Sequence, residues 1–251
     1  MNNSFIGVFD SGYGGLTTLK ELQCLLPNEN YIYLGDTKNA PYGDKDPKEV
    51  EKIVLKIVDY LVKEKVKAIV VACNTATSIA IKSVREKYKD LIIIGTEPAV
   101  KVAVDNNKDK ILVLATKNTL KLEKFTNLVD KLNAEDKIIK EDLEGLATLI
   151  DKGNLDSEEI DELLNKKLSK YKGKIDSVVL GCTHYPFVKD KIYKLLEVPI
   201  YDGNNGIARE LKRRLSESNL LNYQDIEGTI LYKSTGNELD YEKMYRLLGD
   251  K

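Results

Sequence analysis

Val70-Val71-Ala72-Cys73-Asn74-Thr75 is an apolar, β-branched run that breaks directly into a polar turn. Such a run reads as a buried parallel strand arriving at a helix N-terminus. The same construction returns in the second half of the chain as Val178-Val179-Leu180-Gly181-Cys182-Thr183-His184. At that edge of an open α/β sheet, free backbone N–H groups favour anions and thiolates, and ligands bind there. Each run therefore carries a thiol to a place suited to holding a small molecule.

Outward from these two runs, apolar segments alternate with amphipathic ones almost from end to end, the pattern of an α/β protein with parallel sheets flanked by helices. Strands are expected at 5–9, 31–34, 67–72, 91–95, 110–115, 136–140, 175–181, 198–201 and 229–233. The plainest helix start is Asp46-Pro47-Lys48-Glu49, with an N-cap acceptor, proline at the first helical position and a capping-box glutamate. Val50, Ile53, Val54, Ile57, Val58 and Leu61 follow at helical spacing and predict one buried face. Leu16, Leu19, Leu22 and Leu26 mark another helix, ended by Pro27, and Cys24 within it reads as a small core residue. The 157–171 helix places its acids early and its lysines late, which complements the helix dipole and needs no functional explanation.

The chain has 251 residues, 42% hydrophobic and 31% charged, with a net charge of −1. These values fit a globular protein with a sizeable core of one large or two modest domains. Lysines and acids are interspersed, so bulk electrostatics predict neither a nucleic-acid nor a membrane partner; Lys212-Arg213-Arg214 reads as a solvated helix face. No apolar run approaches the ~18 residues that span a bilayer. Met1-Asn2-Asn3-Ser4-Phe5-Ile6-Gly7 lacks the charged and apolar regions of a signal peptide, so none is expected. Three cysteines, Cys24, Cys73 and Cys182, make no disulfide framework and fit a reducing cytoplasm. One histidine and no paired-cysteine spacing argue against a metal site.

Weak self-similarity divides the chain. Asp10-Ser11-Gly12 and Cys73 in the first part are echoed by Ala115-Thr116 and Cys182 in the second. Two similar α/β lobes follow, with the active site in the cleft between them. The expected division is 1–97 plus 208–251 for the lobe carrying Cys73 and 98–207 for the lobe carrying Cys182. Asp10-Ser11-Gly12-Tyr13-Gly14-Gly15 follows the first strand, but Thr17 stands where a dinucleotide fingerprint needs its third glycine. The glycines still suit a tight turn that approaches a substrate carboxylate. Asp10 can accept from a substrate ammonium or act on a nearby thiol, and a capping role for Asp10 or Ser11 stays equally open. His184, two residues after Cys182, can lower a thiol pKa or relay its proton.

Two thiols facing one pocket can remove a proton from one face of a carbon and return one to the other. An α-proton is a very weak acid, so a base must be well placed and the developing charge stabilised. One thiol and one thiolate on opposite faces give inversion, whereas a single base would tend to return the proton to its own face.

Val8-Phe9-Asp10-Ser11-Gly12-x-Gly14-Gly15-Leu16, Gly35-Asp36-Thr37 with Pro41-Tyr42-Gly43, Ala72-Cys73-Asn74-Thr75-Ala76, Leu180-Gly181-Cys182-Thr183-His184-Tyr185-Pro186 and Tyr232-x-x-Thr235-Gly236 occur in this order. Together they resemble the glutamate racemases, cofactor-independent members of the aspartate/glutamate racemases. The resemblance implies interconversion of L- and D-glutamate without pyridoxal phosphate, supplying D-glutamate for peptidoglycan, usually by a homodimer. Carried over by position, it implies that Cys73 acts on the D-enantiomer with help from Asp10, and Cys182 on the L-enantiomer with help from His184. It implies substrate contacts at Ser11, Pro41, Tyr42, Gly43, Asn74, Thr75, Thr116, Thr119 and Thr183. A family Glu-x-Gly position corresponds to Asp151-Lys152-Gly153, one methylene shorter, and Phe125 occupies an aromatic region usually marked by serine and tyrosine. The alternatives are an aspartate racemase or broad-specificity amino-acid racemase, a Cys/His thiol hydrolase or redox protein, and a non-catalytic amino-acid-binding regulator. The thiol hydrolase would leave Cys73 idle, and the regulator would need neither thiol.

Overall fold

The first sheet grows from β1 (Ile6–Asp10), whose five residues are all buried. In the computed structural model, which describes residues 4–106, 108–223, 226–237 and 240–249, the chain then runs through α1 (Leu16–Leu25), β2 (Tyr31–Gly35), α2 (Pro47–Lys63), β3 (Ala68–Val71), α3 (Asn74–Lys87) and β4 (Ile92–Gly95). The Asp46 carboxylate caps α2 by accepting from the N–H groups of Lys48 and Glu49, and Val50, Val54, Ile57, Val58 and Leu61 form its buried face. The N-cap is the one the sequence predicts, but Ile53 is only half-buried and Glu49 pairs with Lys45 at 3.5 Å.

The chain continues through α4 (Val100–Asp105), β5 (Ile111–Ala115), α5 (Lys117–Lys121), α6 (Glu123–Lys131), β6 (Ile138–Asp142) and α7 (Leu146–Asp151). It then adds α8 (Glu158–Leu168), β7 (Ser177–Gly181), α9 (Lys189–Leu196) and β8 (Ile200–Tyr201). Finally, α10 (Asn204–Glu217) packs on α1, β9 (Ile230–Ser234) pairs with β2, and α11 (Tyr241–Leu248) ends the described chain.

Every strand pairing is parallel. The sheet orders are β4-β3-β1-β2-β9 and β6-β5-β7-β8. Read in matching directions, β4-β3-β1-β2 and β8-β7-β5-β6 have the same topology, so the second lobe repeats the first. The central strands β1, β3, β5 and β7 are buried throughout, as strands covered by helices on both faces must be. One buried cluster joins the two sheets, including Val8 and Val70 from the first and Leu112 and Val178 from the second. Separate clusters fill the outer faces.

One expectation for the core fails. Cys24 is exposed, because the buried residues of α1 are Leu16, Thr18, Leu19 and Leu22, and at ~100° per residue position 24 falls outside that stripe. Among the described residues no helix is long and apolar enough to cross a membrane.

Candidate active site

Register brings the chemistry together. In the first sheet Phe9 pairs with Val71, so two residues further on Ser11 stands beside Cys73. The Cys73 thiol lies 3.5 Å from Ser11 Oγ, and its sulfur caps α3 by accepting from the Ala76 N–H at 3.5 Å. In the second sheet Ala115 pairs with Gly181, so Thr116 stands beside Cys182. The C-terminal edges of the two sheets face each other across a cavity of about 200 Å³, and both thiols line it at 5% and 8% exposure. A chamber of that size suits a small amino acid rather than a nucleotide.

Ser11, Pro41, Tyr42, Gly43, Asn74, Thr75, Thr116, Thr183 and His184 line the same cavity. Asp10 and Thr119 do not reach its surface and stand one layer behind. Asp10 accepts from the Gly12 N–H at 3.0 Å and from the Thr183 hydroxyl at 2.9 Å, so its carboxylate joins the lobes. Thr119 belongs to a threonine seam, with Thr75 to Thr116 at 3.0 Å and Thr116 to Thr119 at 3.1 Å. Asn74 is 7% exposed, and its Oδ1 has no hydrogen-bond partner among the described residues.

The glycine turn after β1 carries a constraint that spacing alone does not reveal. A Cβ on Gly14 would stand 2.4 Å from His184 Nδ1 and 2.5 Å from Thr183 Oγ1. What approaches this backbone so closely is the cysteine turn of the other lobe.

His184 Nδ1 lies 3.8 Å from Cys182 Sγ, and Nε2 lies 3.0 Å from Asp151 Oδ1. Burial disfavours the imidazolium, but the Asp151 carboxylate and Cys182 outweigh it and hold the His184 pKa well above its ordinary value. Burial, reinforced by the nearby Asp10 charge, pushes the Cys73 thiol up to about 12. Burial also raises the Asp10 pKa, opposed by His184 and the hydrogen bonds from Gly12 and Thr183. The cleft thus holds one thiol kept protonated and one sulfur beside a cation.

Asp151 ends α7 and lines the cavity, the position at which the shorter acidic side chain meets the histidine. Phe125 does not line it and is buried in the outer core of the second lobe. Sequence reasoning missed the turn after β6 and the first turn of α7, where Leu143, Glu144, Ala147 and Thr148 form part of the wall. Ordinary loop and helix residues there carry no local signal. Among the described residues no group of three or more His, Cys, Asp or Glu side chains could hold a metal ion.

Residues 18–211 match the family described as Asp/Glu/hydantoin racemase. The chain is 49% identical over 251 residues to the glutamate racemase of Clostridium botulinum (strain Alaska E43 / Type E3), covering 98% of this chain and 97% of that one. It is 46% identical over 248 residues to the glutamate racemase of Clostridium novyi (strain NT), covering 97% and 96%. Its fold is similar to the crystal structure of Francisella tularensis glutamate racemase in complex with D-glutamate, with a TM-score of 0.88 and 31% identity over 99% of this chain and 95% of that one. The paired thiols, the repeated lobes and these likenesses along nearly the whole length agree: the chain belongs to the Asp/Glu/hydantoin racemase family.

Proposed function

We propose that the chain is a glutamate racemase, interconverting L- and D-glutamate by a two-base thiol/thiolate mechanism that uses no cofactor. The observation that carries this reading is that two buried thiols, delivered by equivalent strands of two similar lobes, line one small cavity. A hydrolase needs one such nucleophile and a binding protein needs none.

In the L-to-D direction Cys182 removes the α-proton and Cys73 supplies one to the opposite face; the reverse reaction exchanges the roles. The His184 ring, 3.8 Å from Cys182, stands where it can pass a proton to or from that sulfur. The high pKa of Cys73 keeps its proton available for delivery. Asp10, behind Cys73, is the assisting carboxyl on that side. The Asn74 Oδ1 accepts from the substrate ammonium. The N-terminus of α3 attracts a substrate carboxylate. The backbone N–H groups of Tyr42 and Gly43, which make no backbone hydrogen bond among the described residues, are donors for the second carboxylate. Ser11, Pro41, Thr75, Thr116 and Thr183 complete the substrate wall, with Thr119 supporting Thr75. The wider proposal, resting on family resemblance, is a cytoplasmic homodimer that supplies D-glutamate for peptidoglycan. It divides the chain into lobes of 1–97 plus 208–251 and 98–207.

Incubation with L-glutamate or L-aspartate in deuterium oxide tests the reaction and its substrate together. Glutamate should lose optical rotation and exchange its α-proton much faster than aspartate. Preferential turnover of aspartate would reject the substrate, and full racemisation by Cys73→Ala would reject the two-base chemistry.

A further inference from the structure

The loop after β2 carries Pro41, Tyr42 and Gly43 into the cavity wall, and residues outside that wall hold it at both ends. At its root the buried Asp36 carboxylate accepts from Asn39 Nδ2 at 2.9 and 3.0 Å and from the hydroxyls of Tyr42 and Thr235. These contacts anchor the loop to the first lobe as a stiff arm. At its tip the partner comes from the other lobe. Asn118, in α5, donates through Nδ2 to the carbonyl oxygens of Tyr42 at 3.2 Å and Lys45 at 3.0 Å. Two carbonyls can bind only the amide nitrogen, so this chemistry fixes the orientation of the Asn118 side chain. A Cβ on Gly43 would stand 3.1 Å from Thr116 Cβ, so the arm rests directly on the second lobe.

We propose that Asn118 is a positioning residue whose amide clasps the substrate loop of the first lobe to the second. The clasp sets the lobe separation at which the cavity accepts its amino acid. The inference rests on the racemase reading. A stiff arm passes any parting of the lobes to its tip, and Asn118 supplies the hydrogen bonds that resist it there. It contacts neither thiol, so its loss weakens binding and leaves proton transfer intact.

The test uses the full chain with Asn118→Ala and with Asn118→Leu, which keeps similar bulk but has no donor. Steady-state kinetics are measured in both directions. Backbone hydrogen exchange over residues 41–46 is measured with and without glutamate. Both variants should raise KM for each enantiomer about tenfold with kcat held within about twofold, as the loss of two hydrogen bonds to the loop would give. Exchange over 41–46 should accelerate several-fold and be suppressed again by saturating glutamate. A fall in kcat at unchanged KM, or unchanged exchange, overturns the proposal. So does an Asn118→Leu protein that behaves as the parent, because bulk and not the amide would then hold the loop. The acceleration without glutamate needs no turnover, so it decides the clasp separately even if glutamate proves not to be the substrate.

Discussion

A sulfur acts on a carbon acid only if its neighbours set its charge, and the two cleft thiols have different neighbours. Cys73 is shielded by burial and faces Asp10, whereas Cys182 sits beside a histidine held cationic by Asp151. His184 is the chain's single histidine, so its imidazole resonances can be followed without ambiguity. Titration by NMR should place its pKa well above the ordinary ~6.5. In Asp151→Asn the principal raising influence is gone while burial and the Cys182 contact remain, so the pKa should fall from its value in the parent. The alkaline decline of kcat/KM should then move to lower pH, because the cation beside Cys182 is lost earlier as pH rises. An unshifted titration in the variant would remove Asp151 from the account. Cys73, Cys182 and His184 are legible in sequence because a strand end and its turn are local features. The Asp151–His184 contact is not local: it requires the end of α7 to reach β7's turn, and family resemblance singles out Asp151 without pairing it with His184. Cys24 misleads because a leucine stripe identifies a helix without saying how wide its buried face is.

Elements place these groups through strand register and through the close approach of turns. Gly14→Ala would drive a methyl group into His184 and Thr183, so the facing turns must separate. We expect at least a tenfold loss of kcat/KM, since displacement by about 1 Å can cost 10²-fold. Assays of folded variant protein check this, and parent-like activity would refute the close approach. Asp46→Ala probes the architecture without touching the cavity wall. Removal of the α2 cap should cost about 1 kcal/mol in denaturant unfolding and leave kcat/KM unchanged. The predicted strands all occur, with ends differing by one or two residues, because continuous β-branched runs mark buried parallel strands clearly. The edge strand β8 shrinks to Ile200–Tyr201, since edge pairing depends on neighbours that periodicity does not describe.

At the scale of the molecule, the C-terminal part of the chain is stitched back to the first sheet. Thr18 donates to Asn204 at 2.7 Å where α10 meets α1. Lys67 and Glu29, each with a side chain 2% exposed, form an ion pair at 2.6 Å. Lys67 also donates to the Leu220 carbonyl at 2.7 Å, and the Asn222 N–H donates to Glu29 at 2.8 Å. Lys67→Met would leave Glu29 buried without its cation, at a cost of about 3–5 kcal/mol. The denaturation midpoint should fall accordingly, while folded variant protein keeps its turnover. An unchanged midpoint would show that this pair does not hold the returning segment. The repeated lobes are visible in sequence through their echoed turns. The sequence places the segment after 208 with the first lobe, but the pairing of β9 with β2 is not legible in it, because strand order is settled by packing between distant segments.

A ligand-bound crystal structure with D-glutamate tests the central claim most directly, because it measures both sulfur-to-α-carbon separations at once. The account predicts Cys73 Sγ and Cys182 Sγ on opposite faces of the α-carbon, each at about 3.5 Å, the scale of a near-attack arrangement. Either sulfur turned away from that carbon, or both on one face, would contradict it.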